Sequence, residues 1–338
     1  MTTLLAGDIG GTKTLLALYR LEPGGNLTLV QSQRYPSGDW DDLAPMVSAF
    51  LASHPQSGAG DAAPAAACLA VAGPVQGGQA RLTNLPWQLD EERLVQATGI
   101  AAVELVNDFA VLIYGLPHLQ APQQAVVRQG LSDAAEPLLV LGAGTGLGVA
   151  LGVPTAAGLK AVPSEAAHGE FAPRCPSEWQ LRQWLAQELG LERLSIERVV
   201  SGTGLGWVAR WLLATSEHGP GHALGAVAAD AAQDLPAAVA AAAAGGDPLA
   251  SRALEVWLSA YGSVCGDLAL AALSRGGIWL AGGTAAKLLE ALRSGPFEQA
   301  FLNKGRLRAV LETMPITAIT DPAIGLYSAA CRARMLLG

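Results

Sequence analysis

Two short glycine-rich stretches, each lying between apolar runs, most constrain what this chain can fold into. The first is Gly7-Asp8-Ile9-Gly10-Gly11-Thr12, with Leu4-Leu5-Ala6 before it and Leu15-Leu16-Ala17-Leu18-Tyr19 after it. The second spans residues 142–148, where glycine occupies every other position and apolar residues again flank the stretch. Short apolar runs bounded by glycine are typical of buried strands. Each stretch therefore predicts a strand–loop–strand hairpin, and two such hairpins predict a duplicated α/β architecture with a ligand held between the halves.

The first loop matches neither of the two common glycine-rich nucleotide motifs. A P-loop has the pattern G-x-x-x-x-G-K-[ST] ahead of a helix, whereas the sixth residue counted from Gly7 is Thr12 and a strand-like run follows. A dinucleotide G-x-G-x-x-G is absent from residues 7–14 and from residues 142–148. An ordinary glycine-rich turn stays open as an alternative. Two such loops favour hairpins whose backbone amides face phosphate oxygens, because glycine lets the backbone approach closely.

Polar side chains near two strand ends predict the chemistry. Asp8 comes just after the first apolar run, where a carboxylate can hold Mg²⁺ through water, and the Thr12 hydroxyl can donate to phosphate. Asn107 and Asp108 follow the apolar run 103–106, at a strand end where α/β folds commonly place site residues. A carboxylate there can take the proton of a hydroxyl, and an amide can both donate and accept. A turn or a helix cap is the alternative for this pair.

Composition and charge exclude several classes of partner. The chain has 338 residues, enough for two domains, and a net charge of −8, which leaves no basic surface for nucleic acid. Cys68, Cys175, Cys265 and Cys331 lie far apart without a C-x-x-C pattern, as in reduced cytoplasmic proteins. No basic stretch precedes an apolar run at the N-terminus, and the uncharged run 137–159 contains six glycines and two prolines. We therefore expect neither a signal peptide nor a membrane helix.

The remaining elements follow from apolar spacing and capping signals. Beyond the hairpins, strands are expected over residues 27–30, 65–72, 103–106 and 278–281. Helices are expected over residues 41–53, over two segments of 223–246 divided at Pro236, from an Asp247 N-cap to about residue 274, over 284–293 and over 323–337.

In their order along the chain, these motifs resemble those of bacterial glucokinases of the type without the cysteine-rich zinc motif. The resemblance covers nearly the whole chain and is carried by residues 7–12, Thr83-Asn84, Asn107-Asp108-Phe109, residues 142–148, Glu165 with His168, Glu197-Arg198-Val199, and Gly282-Gly283. It implies the two-domain actin-like ATPase (ribonuclease H-like) α/β fold, with duplicated βββαβα-type cores and a sugar cleft between the domains. It also implies a small domain of residues 1–107 and about 323–338, and a large domain of residues 108–322.

The resemblance further implies an ATP:D-glucose 6-phosphotransferase that uses ATP and Mg²⁺. Asp108 is expected to be the general base, and Asp8 to hold the metal through water. The expected sugar ligands are Thr83, Asn84, Asn107, Asp108, Glu165, His168 and Glu197. The expected nucleotide-binding residues are Gly7, Asp8, Ile9, Gly10, Gly11, Thr12, Gly142, Gly144, Thr145, Gly146, Gly282 and Gly283.

The chain departs from the family in one sugar-binding segment. Ala166-Ala167 stand where glycines are usual and Glu170 where aspartate is common, so the segment is expected to differ if glycine is needed there for a positive φ. A kinase of mannose, fructose or an N-acetylhexosamine stays open on the same fold. A sugar-responsive repressor would need a DNA-binding segment ahead of Gly7, and a polymerising actin-like ATPase has no reason to carry the sugar ligands. We expect a cytoplasmic homodimer with neither nucleic-acid nor membrane partners.

Overall fold

The computed structural model describes residues 2–53, 63–82 and 85–338. The chain forms two compact units. The first comprises Met1–Gln120, Ala157–Pro163 and Pro322–Gly338, and the second comprises Ala121–Ala156 and Ser164–Asp321. The division expected from the sequence assigns residues 108–120 and 157–163 to the large domain instead.

The secondary structure of the described residues runs as follows. The strands are β1 Thr2–Ile9, β2 Lys13–Leu21, β3 Leu27–Pro36, β4 Ala66–Val71, β5 Val75–Gln76, β6 Gln79–Arg81, β7 Gln88–Asp90, β8 Val103–Asn107, β9 Gln124–Arg128, β10 Leu138–Ala143, β11 Leu147–Thr155, β12 Gly158–Ser164, β13 Gly277–Ala281 and β14 Ile316–Ile319. The α-helices are α1 Leu43–Ala52, α2 Glu91–Thr98, α3 Leu112–Gly115, α4 Pro176–Leu189, α5 Gly202–Thr215, α6 Ala223–Ala229, α7 Leu235–Ala244, α8 Pro248–Ala272, α9 Gly283–Lys287, α10 Leu289–Leu292, α11 Gly295–Leu302, α12 Arg308–Leu311 and α13 Ile324–Met335. Short 3₁₀ helices lie at Ser37–Asp39, Leu116–His118, Ala121–Gln123, Ala166–His168, Ile196–Arg198 and Gly305–Leu307.

The first unit is built on a five-stranded sheet with the order β3-β2-β1-β4-β8. β1, β2 and β3 form the expected antiparallel meander, whereas β4 runs parallel to β1, and β8 runs parallel to β4. Every residue of β4 is buried, as in strands covered on both faces, which read as continuous apolar runs. α13 contacts β1 and β4, and the side chains of α1 belong to the core on the sheet.

The second unit contains strands in the order β11-β10-β13-β14-β9. β10 is antiparallel to β11 and parallel to β13, and β13 is parallel to β14. The long helix α8 contributes Trp257 and Tyr261 to the core, and Phe297 of α11 packs against the Tyr261 ring at 5.5 Å between centroids. α8 and α11 approach closely at Gly262, where a Cβ atom would overlap the carbonyl oxygen of Phe297.

The two units repeat one strand order. In each, a hairpin with a glycine loop is followed in the sheet by two parallel strands, β2-β1-β4-β8 in the first unit and β11-β10-β13-β14 in the second. The duplication predicted from the two glycine-rich stretches is therefore confirmed. Among the described residues, no helix combines the length and the apolar character that a membrane span requires.

Two helix boundaries differ from the expectation. Pro236 does not divide two helices but lies in the first turn of α7, where a missing N–H costs no helical hydrogen bond. The break comes earlier, at residues 230–234. The helix expected over 284–293 is interrupted at Leu288, whose φ of −110° ends α9 before α10 begins.

Candidate active site

The carboxyl ends of the parallel strands of the first unit carry two aspartates. β1, β4 and β8 are in register so that Ile9 lies opposite Val71, and Val71 opposite Asn107. Asp8 lies inside β1, one residue before its end, rather than just after the strand as expected. Asp108 follows β8, and its N–H donates to the Val71 carbonyl at 2.9 Å. Because parallel strands end at the same edge of a sheet, both carboxylates belong to this edge.

The Asp108 carboxyl group has the most altered acidity at this edge. Its surroundings remove part of its hydration, and the Asp8 carboxylate adds negative charge; together they raise the pKa of Asp108 to about 6. Hydrogen bonds oppose this shift, among them one from Asn107 Nδ2 to Asp108 Oδ1 at 3.1 Å. A carboxyl group with this pKa is ionised at neutral pH and is still a useful proton acceptor.

Asp8 is the residue at this edge that could hold a metal ion. It is partly buried, and this burial raises its pKa, while the Lys13 ammonium acts in the opposite direction. Mg²⁺ in nucleotide sites is held by one or two carboxylates together with water and phosphate oxygens. A divalent cation would also relieve the repulsion that the Asp8 charge exerts on Asp108. The donor set therefore fits Mg²⁺.

The Asn107 side chain is engaged in the turn that follows β8. Its Oδ1 accepts from the backbone N–H groups of Phe109 and Ala110 at 3.1 and 3.0 Å. Its Nδ2 donates to the Gly73 carbonyl at 3.1 Å and to Asp108. All four hydrogen-bonding positions of the amide are used in the cap geometry that the sequence left open as an alternative. Asn107 orients Asp108, and its role as a sugar ligand stays a prediction.

The first glycine loop is held by a pair of hydroxyl groups. Ser37 Oγ donates to the Gly10 carbonyl at 2.7 Å and lies 3.0 Å from Thr14 Oγ1. The Gly10 N–H donates to the Lys13 carbonyl at 3.0 Å, which closes the turn. In the part of the chain that the structure describes, the N–H groups of Gly11 and Thr12 have no hydrogen-bond acceptor. Two consecutive free donors of this kind are suited to bind phosphate oxygens.

The carbonyl groups of the second glycine loop are hydrogen-bonded to two other segments of its unit, the first turns of α5 and α9, and once within the loop. Its carbonyl oxygens accept hydrogen bonds as follows: Ala143 O from Thr284 Oγ1 at 2.5 Å, Gly144 O from Gly202 N at 2.7 Å, Thr145 O from Thr203 Oγ1 at 2.8 Å, and Gly146 O from Gly144 N at 2.8 Å. The N–H groups of Thr145 and Gly146, by contrast, have no acceptor among the described residues. The second loop thus repeats the donor pair of the first.

A cavity of about 700 Å³ in the second unit adjoins this loop. It brings Gly144, Thr145 and Gly283, three of the expected nucleotide-binding residues, together with the first turn of α5. Several polar or aromatic lining residues were not identified from the sequence: Trp207, Arg210, Asp230, Gln233, Asp234 and Lys287. Trp207 and Arg210 lie in α5, Lys287 lies in α9, and the other three lie between α6 and α7. Their spacing along the sequence does not distinguish them from ordinary surface residues, because the cavity is formed by segments that are distant in sequence.

The glycines of this region serve different purposes. A Cβ atom at Gly144 or Gly283 would meet nothing within 4 Å, and neither residue has a positive φ, so the fold itself does not require glycine there. Gly282 has φ of +82°, and its Cβ would lie 2.9 Å from the Ala143 carbonyl oxygen. Gly144 and Gly283 are thus the positions where glycine leaves room for a ligand.

Besides Asp8, three of the expected nucleotide-binding residues lie inside strands. Gly7 and Ile9 in β1 and Gly142 in β10 are buried. A Cβ at Gly7 would lie 2.7 Å from Leu69 Cδ2, so glycine is required there for packing. These residues support the loops and offer no exposed side chain to a ligand.

The remaining expected sugar ligands lie in the second unit or outside the described residues. Glu165 and His168 are exposed, with 3.6 Å between Glu165 Oε2 and His168 Nε2. Neither Ala166 nor Ala167 has a positive φ, so this turn does not require the glycines that are usual in the family. Glu197 accepts a hydrogen bond from the Leu147 N–H at 3.0 Å.

The segment after His168 is fixed by ion pairs. Glu170 pairs with Arg182 at 2.8 Å and with Arg193 at 3.2 Å, and Arg193 also donates to the His168 carbonyl. Thr83 and Asn84 lie outside the described residues.

The matches to known proteins cover nearly the whole chain. A family model described as Glucokinase matches residues 5–336. A protein named Glucokinase from Synechocystis sp. is 41% identical over 96% of this chain and 96% of its own length. The crystal structure of a glucokinase from an Antarctic psychrotroph has 30% identity and a TM-score of 0.83, over 98% of this chain and 99% of that one. A ROK family glucokinase from Streptomyces griseus, solved with glucose and AMPPNP, has 20% identity and a TM-score of 0.62, over 98% and 99% of the two chains.

Proposed function

This chain belongs to the glucokinase family, and from that premise we propose which residues carry out its reaction. It has the two-domain actin-like ATPase fold and is an enzyme, a kinase of glucose. The reaction is the ATP-dependent phosphorylation of D-glucose at the 6-hydroxyl. A kinase of mannose, fructose or an N-acetylhexosamine is not favoured, because the full-length relative at 41% identity is named a glucokinase.

The observation that carries the proposed mechanism is the Asp108 carboxylate, with its pKa raised to about 6. Asp108 accepts the proton of the 6-hydroxyl while the hydroxyl oxygen bonds to the γ-phosphorus and the bond from that phosphorus to ADP breaks. A base whose pKa lies just below the working pH is ionised and still basic enough to take the proton. Asn107 fixes the direction of this carboxylate through its hydrogen bond to Oδ1.

The two glycine loops bind the phosphates of ATP. Each offers two consecutive backbone N–H groups, those of Gly11 and Thr12 and those of Thr145 and Gly146. The cavity of about 700 Å³ beside the second loop takes the adenosine. Binding of AMPPNP by the structurally similar glucokinase supports ATP as the nucleotide. Catalysis then depends on positioning and charge stabilisation.

The sugar hydroxyls are bound by carboxylate, imidazole, amide and hydroxyl groups. We assign this role to Thr83, Asn84, Asn107, Asp108, Glu165, His168 and Glu197. Glu165 and His168 are exposed and separated by one turn of 3₁₀ helix, so an acceptor and a second polar group lie side by side. Neighbouring hydroxyls of a hexose match such a pair.

Mg²⁺ is the metal we assign to Asp8. When bound it supplies positive charge that neutralises the phosphate oxygens during transfer. Removal of divalent cations with EDTA should abolish phosphorylation, and Mg²⁺ should restore it. Restoration by Zn²⁺ but not by Mg²⁺ would contradict the assignment.

We also propose that the enzyme works in the cytoplasm as a homodimer. All four cysteines are free, and Cys68, Cys265 and Cys331 are buried, which suits a reducing compartment. The dimer rests on the family resemblance. Light scattering coupled to size-exclusion chromatography should give twice the mass of the 34.6 kDa chain.

A coupled assay over sugars and donors tests the function as a whole. Glucose, mannose, fructose and N-acetylglucosamine should each be tried with ATP, ADP and polyphosphate. We expect the highest kcat/KM for glucose with ATP. A higher value for another hexose or for another donor would overturn the assignment.

A further inference from the structure

We infer that Glu197 is a positioning residue for the ATP phosphates, because it fixes the second glycine loop. It lies in the 3₁₀ helix Ile196–Arg198, and its Oε2 accepts a hydrogen bond from the Leu147 N–H at 3.0 Å. Leu147 is the first residue of β11, directly after the loop. The carboxylate therefore anchors the loop at the point where the chain re-enters the sheet.

The shape of the loop is matched to this carboxylate. Gly146 has no positive φ, so its backbone conformation does not require glycine. A Cβ atom at this position would, however, overlap Glu197 Oε2. The Glu197 carboxylate thus occupies the space that a side chain at position 146 would need.

Hydrogen bonds at both ends of the second glycine loop fix the two free N–H donors that lie between them. At the other end of the loop, the Gly144 carbonyl accepts from the Gly202 N–H at 2.7 Å. The N–H groups of Thr145 and Gly146 lie between these two bonds and have no acceptor among the described residues. Donors held in place before a ligand arrives stabilise developing charge without the cost of rearrangement. Glu197 supplies the bond at the β11 end of the loop, in addition to the bonds that Gly202 and Thr203 donate to its carbonyl oxygens.

The second oxygen of the same carboxylate connects the loop to the sugar. Glu197 Oε1 makes no hydrogen bond with the described residues and can accept from a hydroxyl. This half of the inference rests on the proposed function, in which Glu197 is a sugar ligand. One carboxylate then touches both glucose and the loop that binds the phosphates, so a bound sugar restrains the loop.

Direct nucleotide binding without sugar tests the anchoring separately from the sugar contact. Calorimetry with AMPPNP should show affinity about tenfold weaker in Glu197→Ala, since a hydrogen bond to a charged group is lost and the buried Leu147 N–H is left unpaired. Glu197→Gln keeps an oxygen acceptor and should stay within about threefold of the wild type. Glu192→Ala, an exposed glutamate of the same unit, is the matched control and should be unchanged. Equal AMPPNP affinity of wild type and Glu197→Ala would overturn the inference.

A double-mutant cycle provides the second measurement. Gly146→Ala places its Cβ on Glu197 Oε2 and should weaken AMPPNP binding about tenfold, whereas adding it to Glu197→Ala should cost little more, because the overlapping atom is gone. Fully additive losses would mean that the methyl group blocks the phosphate itself, and would overturn the anchoring. If Glu197→Gln leaves the glucose KM unchanged, the sugar contact fails while the anchoring stands.

Discussion

At the scale of single residues, the role proposed for Asp108 is in the chemical step. Asp108→Asn keeps the shape of the side chain but removes its ability to take a proton, so kcat should fall by roughly 10²–10⁴-fold. Glucose affinity, measured by calorimetry, should change far less, because the other proposed sugar ligands remain. Glu165→Gln is the control: it should weaken glucose binding before it lowers kcat. Near-normal kcat with lost glucose binding would show that Asp108 is only a ligand.

The raised pKa of Asp108 also predicts how kcat/KM falls at acid pH. Because the pKa of Asp108 is raised to about 6, kcat/KM for glucose should fall about tenfold per pH unit below that value as the base becomes protonated. The Asp8 charge is one cause of the shift, so Asp8→Asn should move this limb to lower pH. An unchanged limb in the residual activity of Asp8→Asn would contradict the coupling of the two carboxylates.

Ionisation of Asp108 should lower the stability of the folded protein, although the proposed reaction needs the ionised form. Its folded pKa lies above the unfolded value, so the folded state binds the proton more tightly. The stabilisation from this group is complete below the unfolded pKa and is lost as the pH rises through about 6. Asp108→Asn should therefore have a higher Tm than the wild type at pH 8, and the difference should shrink below pH 4. A lower Tm at pH 8 would mean that Asp108 is structural.

At the scale of elements, sequence reasoning succeeded where the signal was local. The two hairpins could be predicted because apolar runs and glycines alternate within a few residues. The bonds that shape the second loop could not, since Thr203 and Thr284 lie 58 and 141 residues away from their acceptors. The same holds for Glu197, 50 residues from Leu147, which the sequence marked only as a sugar ligand. The Asn107 cap was predicted as an alternative, because its partners Phe109 and Ala110 lie only two and three residues away.

The packing of α8 on α11 gives a stability prediction for one element pair. Gly262→Ala would force a methyl group onto the Phe297 carbonyl, and overpacking of this kind costs about 1–3 kcal/mol. Gly225→Ala in α6 is the matched control, because nothing lies within 4 Å of the new Cβ. A glycine-to-alanine change in an unobstructed helix stabilises by about 0.5–1 kcal/mol. Chemical denaturation should give opposite signs for the two variants; a neutral Gly262→Ala would show that the helices separate easily.

At the scale of the whole molecule, each unit carries its own core and its own glycine loop. The cavity assigned to adenosine is lined entirely by residues of the second unit. The phosphates, by contrast, are assigned to both loops. Adenosine has a base but no phosphate, whereas AMPPNP has both. The two ligands should therefore protect different sets of residues from hydrogen exchange.

Hydrogen exchange measured by mass spectrometry can separate these two sets. Adenosine should slow exchange only around the cavity, in residues 144–145, 203–210 and 284–288. AMPPNP should slow exchange there and also at Gly11, Thr12 and Gly146, because the free N–H groups of these residues then gain phosphate acceptors. The helix α1, which belongs to neither loop and does not line the cavity, serves as the unaffected reference. If AMPPNP leaves residues 10–13 unchanged, the first loop is the ordinary glycine turn that the sequence left open, and the phosphates are bound by the second loop alone.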